Sequence, residues 1–235
     1  MTTLQIWADL LRHKVGIAAA FLLFLFNIPV SVFLGDLATR AGYFEYRAVS
    51  DAIGIVYFAF FIFPVLRITL RGKLALGPPR WAVWAGVEVL LSIATFLVVY
   101  ALIIVGILLW PNLGMTIPSQ WQEFILEVLI VPFLLGVFVW QVGLVLGRES
   151  PLFRRAHGYV FGERKAIVAL YLIISVSDVF VSWALVSLLE GEAQLVMDAA
   201  FSARYAIYTW LLSLLCAALY VELADSERAL EEIFG

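Results

Sequence analysis

One cysteine, Cys216, is too few for a disulfide within the chain or for a cysteine-based metal site. Its position inside an apolar run makes it a small buried hydrophobe. The two histidines, His13 and His157, stand in separate segments without a cysteine beside either. No metal or nucleophile arrangement follows from that spacing, so neither a catalytic residue nor a cofactor is expected. No glycine-rich phosphate loop follows a strand pattern, and no strand pattern is present. Charge is scarce too, at 14% of residues with a formal balance of −3, and the basic residues are dispersed rather than gathered in one patch. That distribution argues against a nucleic-acid partner.

What the chain has in abundance is apolar surface. It is 64% hydrophobic, with a mean hydropathy of +1.01, and a soluble domain of this size has nowhere to bury so much. Six apolar runs divide it, at about 15–35, 52–70, 83–110, 122–146, 166–189 and 204–223. Each approaches the roughly 20 residues a helix needs to cross a bilayer core. Lys and Arg alternate across these runs. Twelve of the 15 fall in the N-terminal segment, the second loop counted with Arg67 at its edge, the fourth loop and the C-terminal tail, and none in the third loop. Basic residues are retained on the cytoplasmic side during insertion. The expected fold is an all-α integral membrane protein with six transmembrane helices, N-in and C-in, forming a single domain over 1–235. The spans leave no room for a soluble catalytic domain. The segment before the first run lacks a cleavage pattern, so that run reads as a retained helix.

Between the spans the sequence predicts short interfacial helices. Thr2 and Gln5 have capping-box spacing, and Leu4, Trp7, Leu10 and Leu11 share one helical face. That pattern predicts a helix lying on the membrane, with Arg12 and Lys14 at lipid phosphates. Tyr43, Phe44 and Tyr46 in the first loop, 36–51, suit a periplasmic headgroup belt. In the fourth loop, Ser150-Pro151 is a helix start signal, and Phe153 to His157 could form about one and a half turns before Gly158. The basic residues Arg71, Lys73, Arg80, Arg154 and Arg155 are the candidates for binding lipids or a protein partner.

Polar residues inside the spans are the other candidates. Asp178 lies near the middle of the fifth run, where a charge costs at least about 2.5 kcal/mol. Tyr171, Ser175, Asp178 and Ser182 recur at helical spacing, so the stripe should face the bundle. Arg67 and Arg204 read as nearer opposite membrane surfaces, leaving Asp178 without a cation at its depth. It is therefore expected to be protonated, or hydrogen-bonded to hydroxyls or water. Two roles stay open for it: a proton or cation carrier, or an interhelical hydrogen-bonding group. Glu88 begins a stripe with Ser92 and Thr95, and Asn27 sits beside Pro29 and Ser31. Glu123 and Glu127 are one turn apart at the start of the fourth run. Tyr205, Thr209, Ser213 and Cys216 line one side of the sixth, where they read as packing residues.

Two stretches carry a family resemblance. The run Pro151 to Gly158, continuing through Gly162 to Lys165 into an apolar helix, resembles bacterial six-helix membrane proteins related to the membrane domain of glycerophosphoryl diester phosphodiesterases. The ending Ala217 to Leu223 with its tail to Phe234, and the basic loop Arg71 to Trp81, are similar to theirs as well. The resemblance implies an integral membrane protein without the phosphodiesterase chemistry, which in that family belongs to a separate soluble domain with metal-binding His and Glu residues. The expected function is thus a non-enzymatic inner-membrane protein that binds membrane lipids or joins a membrane-protein complex, as an accessory or organising subunit. The alternative is a small-solute or proton-coupled permease using Asp178.

Overall fold

The computed structural model describes residues 2–40, 43–70, 77–109, 131–147, 153–191 and 193–234. Among these residues every regular element is helical. In chain order they are α1 (Thr3–Leu11), α2 (Lys14–Arg40), α3 (Tyr43–Tyr57), a π-helical turn (Phe58–Ile62), α4 (Phe63–Thr69), α5 (Trp81–Leu109), α6 (Val131–Leu146), α7 (Phe153–Glu163), α8 (Lys165–Leu188) and α9 (Gln194–Phe234). Four helical stretches are long and apolar enough to cross a membrane: Lys14–Leu34, Ala52–Thr69, Lys165–Leu188 and Gln194–Asp225. Shorter apolar helices cover Trp81–Leu91 and Leu134–Leu146. Arg71, Lys73, Glu123, Glu127 and the Ser150-Pro151 start signal lie outside the described residues.

The organising element is α9. At 41 residues it is about 60 Å long, twice the thickness of a bilayer core. From Leu214 to Val221 every residue is buried, as are Leu223 and Ala224, so this part of the helix is enclosed on all sides. Its first half is different, with Leu195, Val196 and Ile207 exposed. A helix apolar all round needs neighbours all round, and α9 packs against α1, α2, α6, α7 and α8.

Helices α1 and α2 run one after the other along α9, both antiparallel to it. Thr3 meets Glu222, Trp7 Nε1 donates to the Leu211 carbonyl at 3.2 Å, Gly16 lies against Trp210, and Ser31 meets Ser202. The Thr2–Gln5 capping box forms as its spacing predicts. The face this helix buries against the protein is not the Leu4, Trp7, Leu10 and Leu11 stripe as a whole. Thr3, Ile6 and Leu10 are the buried positions, and Leu4 is 49% exposed. The buried face packs on α9, whose enclosed half offers an apolar surface with a carbonyl within reach of Trp7.

Two more expectations change. The first loop is largely helix, since α2 runs to Arg40 and α3 starts at Tyr43. α7 is an 11-residue helix that continues through Gly158, and it buries Ala156, Tyr159 and Val160. Like α1, it docks on other helices, chiefly α6.

The π turn has a local cause. Pro64 has no N–H and its ring crowds the carbonyl four residues back, so regular α pairing fails there. The Phe63 N–H bonds instead to the Phe58 carbonyl, five residues back. The widened turn sets Phe58 and Phe63 on the same wall of the bundle interior.

Candidate functional site

Six elements meet around a cavity of about 360 Å³. The π turn and α4 contribute Phe58 and Phe63, α5 contributes Trp84, and α6 contributes Phe138. Phe63 and Trp84 pack edge to face, with centroids 4.7 Å apart and planes at 89°. Phe58 lies 5.6 Å from Phe63 and 6.4 Å from Trp84, closing an aromatic triangle. The hydroxyl side comes from Tyr171 of α8 and from Tyr205, Thr209 and Ser213 of α9. These α9 residues, which read as packing residues in the sequence, thus line a cavity.

Among the described residues, Glu88 supplies the one acidic side chain in the lining, and no basic side chain contributes. Gln141 Nε2 donates to Glu88 Oε1 at 2.9 Å, from a side chain only 4% exposed. The spacing Trp84-Glu88 on α5 and Phe138-Gln141-Val142 on α6 is helical, so both helices present these residues on one face. Sequence reasoning missed Gln141. Its signal was a lone amide within an otherwise apolar run, which costs free energy unless hydrogen-bonded.

Asp178 sits elsewhere, and the expectation that it lacks a cation is corrected. Arg204 Nη1 donates to its Oδ1 at 3.1 Å. By hydropathy the sixth run begins at 204, which puts Arg204 near a membrane surface. The helix in fact begins at Gln194. Asp178 and Arg204 are each thirteen residues from Gly191 in the turn, so antiparallel pairing of α8 and α9 brings them level. Of the stripe on α8, Tyr171 and Ser175 are buried, while Asp178 and Ser182 are half-buried. Only Tyr171 reaches the cavity.

Asn27 forms a third polar group. Tyr57 Oη donates to Asn27 Oδ1 at 2.6 Å, Asn27 Nδ2 donates to Ser31 Oγ at 3.4 Å, and Ser31 shares a 3.1 Å hydrogen bond with Ser202. This chain ties α2 to α3 and α9. It satisfies a polar side chain in apolar surroundings, which is the main requirement on such a residue.

The end of the bundle holding Thr3 and Glu222 is fastened by charge. Arg164, at the α7–α8 junction, donates to Glu222 through Nη2 at 2.8 Å and Nε at 3.2 Å. Such two-point pairing fixes orientation as well as distance. The Thr3 hydroxyl donates to the same carboxylate, so one acidic group joins α1, the α7–α8 junction and α9. Arg164 also lies over the Tyr159 ring, 4.8 Å from its centroid. Burial pushes the Tyr159 hydroxyl pKa up to about 12; the Glu222 charge adds to the rise and Arg164 opposes it. The Glu222 hydrogen bond in turn raises the pKa of Arg164.

At the same end, Arg67 of α4 donates through Nη1 to the Val145 carbonyl at 2.8 Å and through Nη2 to the Gly77 carbonyl at 2.9 Å. The chain segment 77–80 pairs with the end of α6, with Gly77 N to Leu146 O at 3.0 Å and Arg80 N to Leu144 O at 2.9 Å. Gly77 and Gly147 pass so closely that a Cβ on either would collide with the backbone of the other segment. Gly147 also has a φ of 69°, the left-handed conformation that ends many helices. Of the basic candidates, Arg80 is exposed; Arg154 and Arg155 fall within α7, and their side chains lie outside the described residues.

Comparison with family models, with curated protein sequences and with solved structures returned no match to this chain.

Proposed function

We propose that this chain is a six-span, N-in and C-in protein of the bacterial inner membrane that acts without catalysis. It binds anionic lipid or a membrane-protein partner through its basic cytoplasmic face, as an accessory or organising subunit. The observation that carries this reading is the fastening of the basic segments to the core. The segment holding Arg80 is hydrogen-bonded to the end of α6 and clamped by Arg67. The helix holding Arg154 and Arg155 is buried at Ala156, Tyr159 and Val160, and ends at the Arg164–Glu222 pair. Charges on fixed backbone bind a partner without first ordering a loop, which lowers the entropic cost of association.

Asp178 supports this reading over a permease. A carrier must take up and release its ion, whereas Asp178 is already held by the cation of the neighbouring helix.

The test is lipid retention. The full-length protein carrying Arg80→Gln, Arg154→Gln and Arg155→Gln is purified in mild detergent, and its bound phosphatidylglycerol is measured by native mass spectrometry. Each arginine near a lipid surface contributes about 1 kcal/mol, or roughly fivefold in affinity, so the triple variant should lose most of the retained lipid. Unchanged retention of phosphatidylglycerol and of any co-purifying protein would contradict the proposal.

A further inference from the structure

The cavity lies among the apolar stretches Ala52–Thr69, Lys165–Leu188 and Gln194–Asp225. A molecule that reaches it through a bilayer must first dissolve in hydrocarbon, which disfavours a charged one. One wall is aromatic: Phe58, Phe63 and Trp84 form the triangle, and Phe138 joins them. Such rings take another ring edge to face or offset, at centroid separations of about 4.5–7 Å. A second wall is a row of hydroxyls. Tyr205, Thr209 and Ser213 stand four residues apart on α9, so all three share one face. Thr209 hydrogen-bonds the Tyr205 hydroxyl, and each can make a further bond because a hydroxyl both donates and accepts. We propose that the cavity is a binding site for a neutral quinone-type ring: a planar, lipid-soluble compound that packs among the aromatic side chains while its carbonyl oxygens accept from the hydroxyl row.

Size and polarity both narrow the occupant. A volume of about 360 Å³ is at the small end of ligand pockets, which run from about 300 to 1,000 Å³, and it suits one substituted ring. A plain hydrocarbon would set the hydroxyl row against apolar surface, which is costly for its donors. Carbonyl oxygens answer them. Glu88 is engaged by the buried Gln141 amide, and a neutral ligand leaves that contact intact. The π turn at Pro64 places Phe58 and Phe63 together on the wall, so the aromatic side is built into the backbone. The site is separate from the Asp178–Arg204 pair and from the basic segments. It holds or fails independently of lipid binding at the cytoplasmic face.

Fluorescence titration of the purified full-length protein with duroquinone, in mild detergent, tests it. The four methyl groups of this quinone occupy every ring position open to a thiol, which spares Cys216 in the lining. A quinone quenches tryptophan at short range, and Trp84 stands in the wall. The wild type should show saturable quenching, and Trp84→Phe should lose most of it. Tyr205→Phe and Ser213→Ala each remove one donor and should weaken binding by about threefold to tenfold. Durene has the same ring and methyl groups without the oxygens, and as a competitor it should bind at least about tenfold more weakly. Should a hydroxyl variant fail to fold, the durene comparison on the wild type still decides. Absence of saturable quenching, quenching undiminished in Trp84→Phe, unchanged affinity in both hydroxyl variants, or durene binding as tightly as duroquinone would each overturn the proposal.

Discussion

Asp178 on α8 and Arg204 on α9 pair at 3.1 Å, each thirteen residues from Gly191 in the turn between them. The symmetry explains how a carboxylate can sit midway along an apolar helix. An antiparallel hairpin sets equal distances from the turn at equal depth, so each charge is answered by the other. Both side chains keep about a quarter of their surface uncovered by the protein, 27% and 22%.

Removing one partner deprives the other of this charge contact. Asp178→Ala and Arg204→Ala should each lower stability by about 1–3 kcal/mol, and the double variant by less than the sum. Thermal unfolding in a single detergent measures this. Strict additivity of the two losses would show that the contact contributes nothing.

The Gly77–Gly147 crossing sets a second test. Gly77→Ala forces two backbones apart, and Gly147→Ala adds a strained left-handed conformation, so each should cost about 2–4 kcal/mol. Surface replacements on the same segment, such as Arg80→Gln, should stay within about 0.5 kcal/mol. Melting temperatures that fail to separate the two kinds of variant would contradict the close approach.

Glu222 joins three elements at one carboxylate. Glu222→Gln weakens the two-point contact with Arg164 and the bond from Thr3, and α1 should then open more often. Hydrogen exchange at Ile6 to Leu10 should quicken by about tenfold, the effect of roughly 1.4 kcal/mol, while exchange in α8 near Asp178 is unaffected. Equal protection of α1 in both proteins would mean that its apolar face alone holds it.

Tyr159 gives a pH signature. Its hydroxyl is raised from the ordinary value of 10 to about 12, so the folded protein keeps a proton that the unfolded chain releases. The stability this contributes is complete below pH 10 and is lost as pH rises from 10 through 12. Tyr159→Phe should flatten the fall in stability across that window. In a spectrophotometric titration, the difference between wild type and Tyr159→Phe should centre near pH 12; a difference centred near 10 would show the hydroxyl to be solvated.

Local patterns were the most legible part of the sequence. The capping box at Thr2 and Gln5 forms because its partners are three residues apart and need nothing else. Long apolar stretches such as Lys14–Leu34 and Lys165–Leu188 declare themselves by composition. The sites were harder to see because each depends on residues far apart in the chain. Asp198, Ser202 and Arg204 interrupt the hydropathy of α9, which hid its first turns and with them the partner of Asp178. Gln141 is a lone amide in an apolar run, and only the packing of α5 on α6 shows Glu88 beside it. Arg67 counted as a loop charge, although its guanidinium clamps Val145 and Gly77. Helical periodicity showed which residues share a face, but not which helix would cover it.

The account depends above all on the basic segments and the enclosed end of α9 sharing the cytoplasmic side, with the Gly191 turn opposite. Single cysteines at Arg80→Cys and Glu190→Cys test this in intact cells, with buried Cys216 left in place. A membrane-impermeant maleimide should label Glu190→Cys from outside, and should label Arg80→Cys only after the membrane is opened. Labelling of both positions from the same side would contradict the proposed topology and the function built on it.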